Sequence, residues 1–421
     1  MVEESILTDD FLRELINVGE VDLLVGLATY NDAKTVGNVM QAVRAGLLRY
    51  FPRQRAAVVN ADGGSRDGTQ ELVRAASISD MRHVSNLSSL RTLHCISTQY
   101  SQEGNGGGAL HTILAAAELL RASTLVVISP ESTNMEPEWV ERLVRPVAKE
   151  NFDLITPIYR RHKFDALLVR TLLYPMTRAM YGKRLREPVP TDFAFSGRLA
   201  SQFLGQEPWS SEVGSTGAEM QLSLAAMGGD FRVGQSFLGT RERVEHGAAE
   251  LVPAMRRTVG VLFSSLENLS AWSTVKDSQP VPTIGVEHEV SLEPLRVNRK
   301  RLHQMFASGV AELDPVLRTI VSATTLAELQ ASAQQPEEGF LFPDELWVRT
   351  VYEFAASHHK AVISRDHVIQ ALAPLYRGKA LAFVLENREA SAEEVEKNVE
   401  ALCLSFESLK PYLLQLWDGG K

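Results

Sequence analysis

Ala57-Val-Val-Asn60-Ala61-Asp62-Gly63-Gly64-Ser65-Arg66-Asp67-Gly68-Thr69 is an apolar run that turns acidic and glycine-rich and then opens a helix. Leu23-Leu-Val-Gly-Leu-Ala28-Thr29-Tyr30-Asn31-Asp32, earlier in the chain, has the same grammar. A parallel strand buried on both faces reads as a continuous apolar run. Ligands of open α/β sheets gather beyond the carboxyl ends of such strands. An acid at that edge accepts from a ribose hydroxyl or a base N–H, and glycine lets the backbone approach a flat ligand closely. The two strand ends therefore predict a nucleotide site, although neither carries a usual phosphate-loop pattern. The plainer reading of Asn31-Asp32 and of Asp62–Thr69 is a helix cap and a turn.

The same alternation continues outward. Residues 7–18 read as a short helix, with Thr8-Asp9-Asp10 as its cap and Phe11, Leu12, Leu15 and Ile16 on one face. Strands are predicted at 22–28, 56–60, 90–97, 124–129, 153–158, 191–196 and 231–237. Helices are predicted at 34–49, 68–78, 107–121, 136–149, 165–181, 197–204 and 217–227. Such a pattern predicts an α/β fold, a Rossmann-like, mostly parallel sheet with helices on both faces. Near residue 250 the character changes. Residues 250–275 read as one long helix and Ser278-Gln-Pro-Val-Pro-Thr-Ile-Gly285 as a linker. Beyond it helices are predicted at 294–311, 314–323, 324–333, 343–357, 364–386 and 391–415. The expected division is an α/β domain over 1–260 and an all-helical C-terminal domain over 261–421. Packing and oligomerisation, as a homodimer, are the roles expected of the second.

A chain of 421 residues exceeds one compact core. Its 44% hydrophobic and 23% charged residues suit a globular domain protein. The net charge of −9 argues against a broad nucleic-acid or anionic-membrane surface but leaves room for a local basic pocket. Cys95 and Cys403 are expected to be reduced, buried thiols. The opening Met1-Val-Glu-Glu-Ser lacks a basic start and an apolar core, and no run reaches the ~20 apolar residues of a membrane span. A cytoplasmic location without a membrane span is the expectation.

Together the two strand ends resemble the GT-A glycosyltransferases, whose second strand ends in Asp-x-Gly-Ser-x-Asp-Gly-Thr. The resemblance assigns the nucleotide base and ribose to Asp32 and Asp62, with Ala28, Thr29, Tyr30 and Gly63 lining the pocket. Gly104-Asn105-Gly106-Gly107-Gly108-Ala109-Leu110 resembles the Gly-Lys-Gly-x-Ala-Leu turn of the retaining branch that makes glucosyl- or mannosyl-3-phosphoglycerate and related glycerate glycosides. Here the glycines remain and the lysine is gone, so Gly106 would meet the diphosphate through backbone N–H groups.

That family ends its central strand in Asp-x-Asp, which holds Mg²⁺ or Mn²⁺. This chain has Ser129-Pro130-Glu131, leaving Glu131 as the candidate metal ligand and Ser129 beside the donor. A family histidine after the last core strand completes the metal set. Arg243 stands in its place without a gap, and His246 lies three residues on. The resemblance thus makes His246 a candidate ligand and Arg243 a candidate cationic substitute. Glu219 in Thr216-Gly217-Ala218-Glu219 matches an element that places a carboxylate near the transferred sugar; its plain alternative is a helix cap. The stretch Tyr174–Gly197 resembles the acceptor loop, where Lys183, Arg184 and Arg186 either face solvent or grip an acceptor carboxylate or phosphate. The family's phosphate-binding Gly-Arg-x-Thr is not preserved near 165–171.

The resemblance implies a retaining hexosyltransferase that takes UDP-glucose or GDP-mannose to a small hydroxy acid such as glycerate or phosphoglycerate. Two other readings stay open. One is a nucleotide-sugar binder on the same fold without turnover, and the other is a nucleotidyltransferase.

Overall fold

The computed structural model of the protein describes residues 7–77, 93–100, 108–205, 217–242, 251–286 and 297–418. The chain forms two compact units, and each collects separate stretches of sequence. The first comprises 1–160, 189–247 and 281–290; the second comprises 161–188, 248–280 and 291–421.

The first unit is built on an eight-stranded sheet. Its strands are β1 (Leu23–Thr29), β2 (Ala56–Asp62), β3 (Leu93–Gln99), β4 (Thr124–Ile128), β5 (Leu154–Arg160), β6 (Phe193–Ser196), β7 (Val233–Thr240) and β8 (Thr283–Ile284). They lie in the order β3-β2-β1-β4-β6-β5-β7-β8. β6 runs antiparallel to both its neighbours and every other pairing is parallel. All seven predicted strands are present, and β2 is buried along its whole length, as a continuous apolar run requires.

β8 is a correction to the predicted linker. Gln235 N–H donates to the Pro282 carbonyl at 3.0 Å, and the Gln235 side chain reaches Thr283 Oγ1 at 2.9 Å. Pro280 and Pro282 supply no N–H groups, so this segment pairs only at the sheet's edge.

The helix Ala109–Leu119 lies close over β1 because Gly26 has no side chain there. A Cβ on Gly26 would stand 2.7 Å from Ile113 Cγ2. On the other face Val36, Val39, Met40, Val43 and Leu47 pack with Trp139, Val140, Leu143 and Val144 against Val25, Leu27 and Val58.

The second unit is helical around a core that includes Phe306, Phe340, Phe342 and Trp347. The predicted single helix over 250–275 is corrected. Helical geometry runs from Leu251 to Ser265 with a π-turn at Arg256–Gly260 and ends there. The indole of Trp272 donates to the Leu266 carbonyl at 2.9 Å, which closes the chain back on the helix end instead of extending it. Another π-turn, Val169–Leu173, precedes Tyr174–Tyr181. Pro175 has no N–H for the Thr171 carbonyl, and the Trp347 indole donates to that oxygen at 2.8 Å.

Arg178, fully buried, is held by Glu400 at 2.5 Å and Glu407 at 2.8 Å from the helix Ala392–Asp418. The helix Arg365–Glu386 is long and apolar enough to cross a membrane, yet 83% of its most apolar window is buried inside the protein. Cys95 and Cys403 are both free and buried, as expected; burial pushes their thiols up to about 11 and about 12.

Candidate functional site

The strand order reverses at β1, which has β2 on one side and β4 on the other. Crossovers leave β1 and β4 in opposite directions, and the crevice between their carboxyl ends is where doubly wound sheets receive ligands. Leu27 pairs with Ile128 in register, so the turn after Thr29 and the turn after Ile128 emerge side by side.

On the β1–β2 side the two loops are laced together. Asn31 N–H donates to Ser65 Oγ at 2.8 Å, Arg66 N–H to Asn31 Oδ1 at 3.0 Å and Ala33 N–H to Asp67 Oδ2 at 3.0 Å. Asn31 and Gly64 take positive φ, 58° and 91°, to make these turns. Asp32 is buried; its carboxylate accepts from Tyr30 N–H at 2.8 Å, and its own N–H donates to Thr69 Oγ1 at 2.9 Å.

Asp62 is fully buried and accepts five hydrogen bonds from its surroundings. Oδ1 takes Gly64 N–H at 2.9 Å, Ser65 N–H at 2.7 Å and the Gln70 amide at 3.0 Å. Oδ2 takes the hydroxyls of Thr29 at 2.7 Å and Ser65 at 2.6 Å. Burial pushes its carboxyl upward, and the bonds from Ser65, Thr29 and Gly64 outweigh that and hold it below the usual carboxylate range. A carboxylate has about four lone-pair sites, so Asp62 is saturated. Asp32 and Asp62 are therefore both buried within the joined loops, while Tyr30 beside them is 58% exposed. Ala28 and Gly63 are partly buried at the same strand ends.

On the β4 side lies a second polar cluster. Asp192, fully buried just before β6, accepts from Ser129 N–H at 2.8 Å and from the Tyr159 hydroxyl at 2.5 Å. Arg241, just past β7, donates from Nη2 to Ser129 Oγ at 2.8 Å, and its Nε makes an ion-pair contact with Asp192 Oδ2 at 3.5 Å. The backbone around Arg241 is fixed as well. Asn134 donates to the Thr240 carbonyl at 3.0 Å and accepts from Glu242 N–H at 2.9 Å, and Thr133 N–H donates to the Glu242 carbonyl at 3.0 Å.

Glu131 follows Ser129 in that turn, partly buried, its N–H 3.4 Å from Ser129 Oγ. Glu219 sits in the first turn of the helix Ala218–Gly228, after Gly217 in left-handed conformation. Gly106, Arg243 and His246 lie outside the described residues.

The structure thus brings Ala28, Tyr30, Asp32, Asp62 and Gly63 together at one strand edge and sets Ser129 and Glu131 at the adjoining strand. Sequence reading missed Arg241, Asp192, Tyr159 and Gln70. Arg241 is one basic residue in a short run of them, and nothing in that pattern tells that it turns inward to a buried acid. In the second unit Arg184 donates to Ser278 Oγ at 3.2 Å and Arg186 pairs with Glu396, so two members of the predicted basic cluster are engaged within the protein.

No family model matches the chain, and no curated protein matches it. Among solved structures it is similar to glucosyl-3-phosphoglycerate synthase from Mycobacterium tuberculosis in complex with phosphoglyceric acid, at 20% identity and a TM-score of 0.40, covering 63% of this chain and 85% of that one. The same synthase in complex with Mn²⁺, uridine diphosphate and glucosyl-3-phosphoglycerate matches at 20% identity and a TM-score of 0.39, covering 63% of this chain and 86% of that one.

Proposed function

We propose that this protein is a glycosyltransferase that moves a hexose from a nucleotide sugar, UDP-glucose or GDP-mannose, to a small hydroxy acid such as glycerate or phosphoglycerate with retention. The observation that carries this reading is the pair of polar clusters on the two strands flanking the switch point of the sheet. A flat base finds the exposed Tyr30 ring and the Gly63–Gly64 backbone on the β1–β2 side. A charged leaving group finds Arg241 and Ser129 on the β4 side. Asp32 and Asp62 hold the first wall rigid, and a ribose hydroxyl reaches Asp62 by displacing Gln70, whose amide bond it replaces in kind. Glu219, in the first turn of the helix Ala218–Gly228, orients sugar hydroxyls in this reading. Gly106 and Arg243 join the donor side in this reading, and His246 remains with Glu131 as a candidate ligand of a cation.

The Mg²⁺ or Mn²⁺ expected with such a donor is poorly served by the residues described. No group of three or more His, Cys, Asp or Glu side chains is arranged to hold a cation among the described residues. Ser129 Oγ already accepts from a guanidinium, and Glu131 is the only carboxylate within two residues of it in sequence. Rate enhancement in this reading comes from positioning the acceptor and from preorganised charge at the departing diphosphate.

The test is to titrate UDP-glucose and GDP-mannose with and without divalent cation, then follow release of nucleoside diphosphate with glycerate or phosphoglycerate present. Acceptor-dependent release is expected. Donor binding without release would replace this reading by that of a binder, which the serine at 129 favours. Absence of any nucleotide-sugar binding would defeat both. A cytoplasmic homodimer is the accompanying proposal, checked by the mass of the purified chain in solution.

A further inference from the structure

Arg241 is built into the molecule in a way that a surface arginine is not. Its side chain is 8% exposed, its Nη2 donates to Ser129 Oγ, its Nε lies 3.5 Å from Asp192 Oδ2 as an ion-pair contact, and its guanidinium carbon lies 5.9 Å from the centre of the Tyr159 ring. Tyr159 and Thr191 in turn hold Asp192 Oδ2 at 2.5 and 3.1 Å. The backbone on either side of Arg241 is bonded to Thr133 and Asn134 of the turn after β4. An entire network therefore fixes one cation at the carboxyl end of the strand next to the switch point. Among the described residues, no protein acceptor meets Nη1.

Fixing a guanidinium this firmly costs side-chain entropy, and the planar fork suits phosphoryl oxygens. A divalent cation on Ser129 Oγ would stand within a few ångströms of that fixed positive charge and would have to displace it.

We propose that Arg241 is the anchor for the diphosphate of a nucleotide ligand, and that it gives the site an affinity for diphosphate that does not depend on a divalent cation. Ser129 and Asp192 are positioning residues: the first fixes the plane of the guanidinium through Nη2, and the second supplies the counter-charge that keeps it in place. The inference rests on the proposed nucleotide site and adds to it a named residue and a charge.

The experiment compares UDP and GDP with uridine and guanosine on the full chain by calorimetry, once in EDTA and once in Mg²⁺. In EDTA the wild type should bind one diphosphate at least tenfold tighter than its nucleoside. R241A should remove roughly 10- to 100-fold of diphosphate affinity, the scale of lost charge-assisted hydrogen bonds, and leave nucleoside affinity unchanged. R241K keeps the charge but not the planar fork and should lose several-fold. S129A, which removes only a hydroxyl from the rim, should also lose several-fold for diphosphate alone.

Unchanged diphosphate binding in all three variants would overturn the inference and leave the nucleotide site standing. So would a wild type whose preference for diphosphate appears only with Mg²⁺. A wild type that binds neither nucleosides nor diphosphates under either condition would overturn the nucleotide reading as well.

Discussion

Asp62 shows how one residue can look like a ligand group and behave as a keystone. Its carboxylate collects five donors, two of them backbone N–H groups of its own turn. Asparagine in its place would turn an NH₂ group toward those donors and leave at least one of them unpaired. We expect D62N to lose about 2–3 kcal/mol of stability whether or not ligand is present, read as a lower urea midpoint at unchanged slope. A midpoint within error of the wild type would show that the carboxylate serves ligand alone. Because the folded carboxyl sits below its ordinary range, its contribution is complete above about pH 4, the unfolded value, and is lost as pH falls through the depressed one. The acid itself was legible as the end of an apolar strand. Its saturation was not, since Thr29 and Gln70 reach it from outside its own turn.

At the scale of elements, the contact between the helix Ala109–Leu119 and β1 depends on a missing side chain. Gly26 and Ile113 meet so closely that a Cβ would fall 2.7 Å from Cγ2 and 3.0 Å from Cδ1 of the isoleucine. G26A should therefore cost about 1–3 kcal/mol by overpacking. Adding I113A should cost less than the sum of the two single changes, because the space each needs is supplied by the other. A double-mutant cycle on denaturation midpoints checks this; strict additivity would place the strain elsewhere. Element types were legible because apolar runs and helical periodicity are local properties. Ends and breaks depended on distant partners, as when Trp272 stops the helix that begins at Leu251, and Gln235 recruits Thr283 and Ile284 as an edge strand.

For the whole molecule, each unit buries a histidine that stays neutral. Burial lowers His111 in the first unit to about 4, and burial together with Arg365 and His359 does the same to His358 in the second. An unfolded histidine titrates near pH 6.5. Between about 6.5 and 4 the unfolded chain takes up protons that the native one refuses, so stability is complete above that window and declines as pH falls through it. Urea midpoints at pH 7.5 and 5 should show the decline, and H111Q and H358Q should each flatten it; an unaltered slope in both variants would assign the pH dependence to other groups. What the sequence determined alone is the alternation of buried strands and helices, the acidic strand ends and hence the edge at which a ligand would bind, because patterning and turn chemistry act over a few residues. Only the tertiary structure decided which side chains converge there. Arg241, Asp192 and Ser129 come from three elements far apart in sequence, and an arginine turns inward only where folding has already placed a buried acid to receive it.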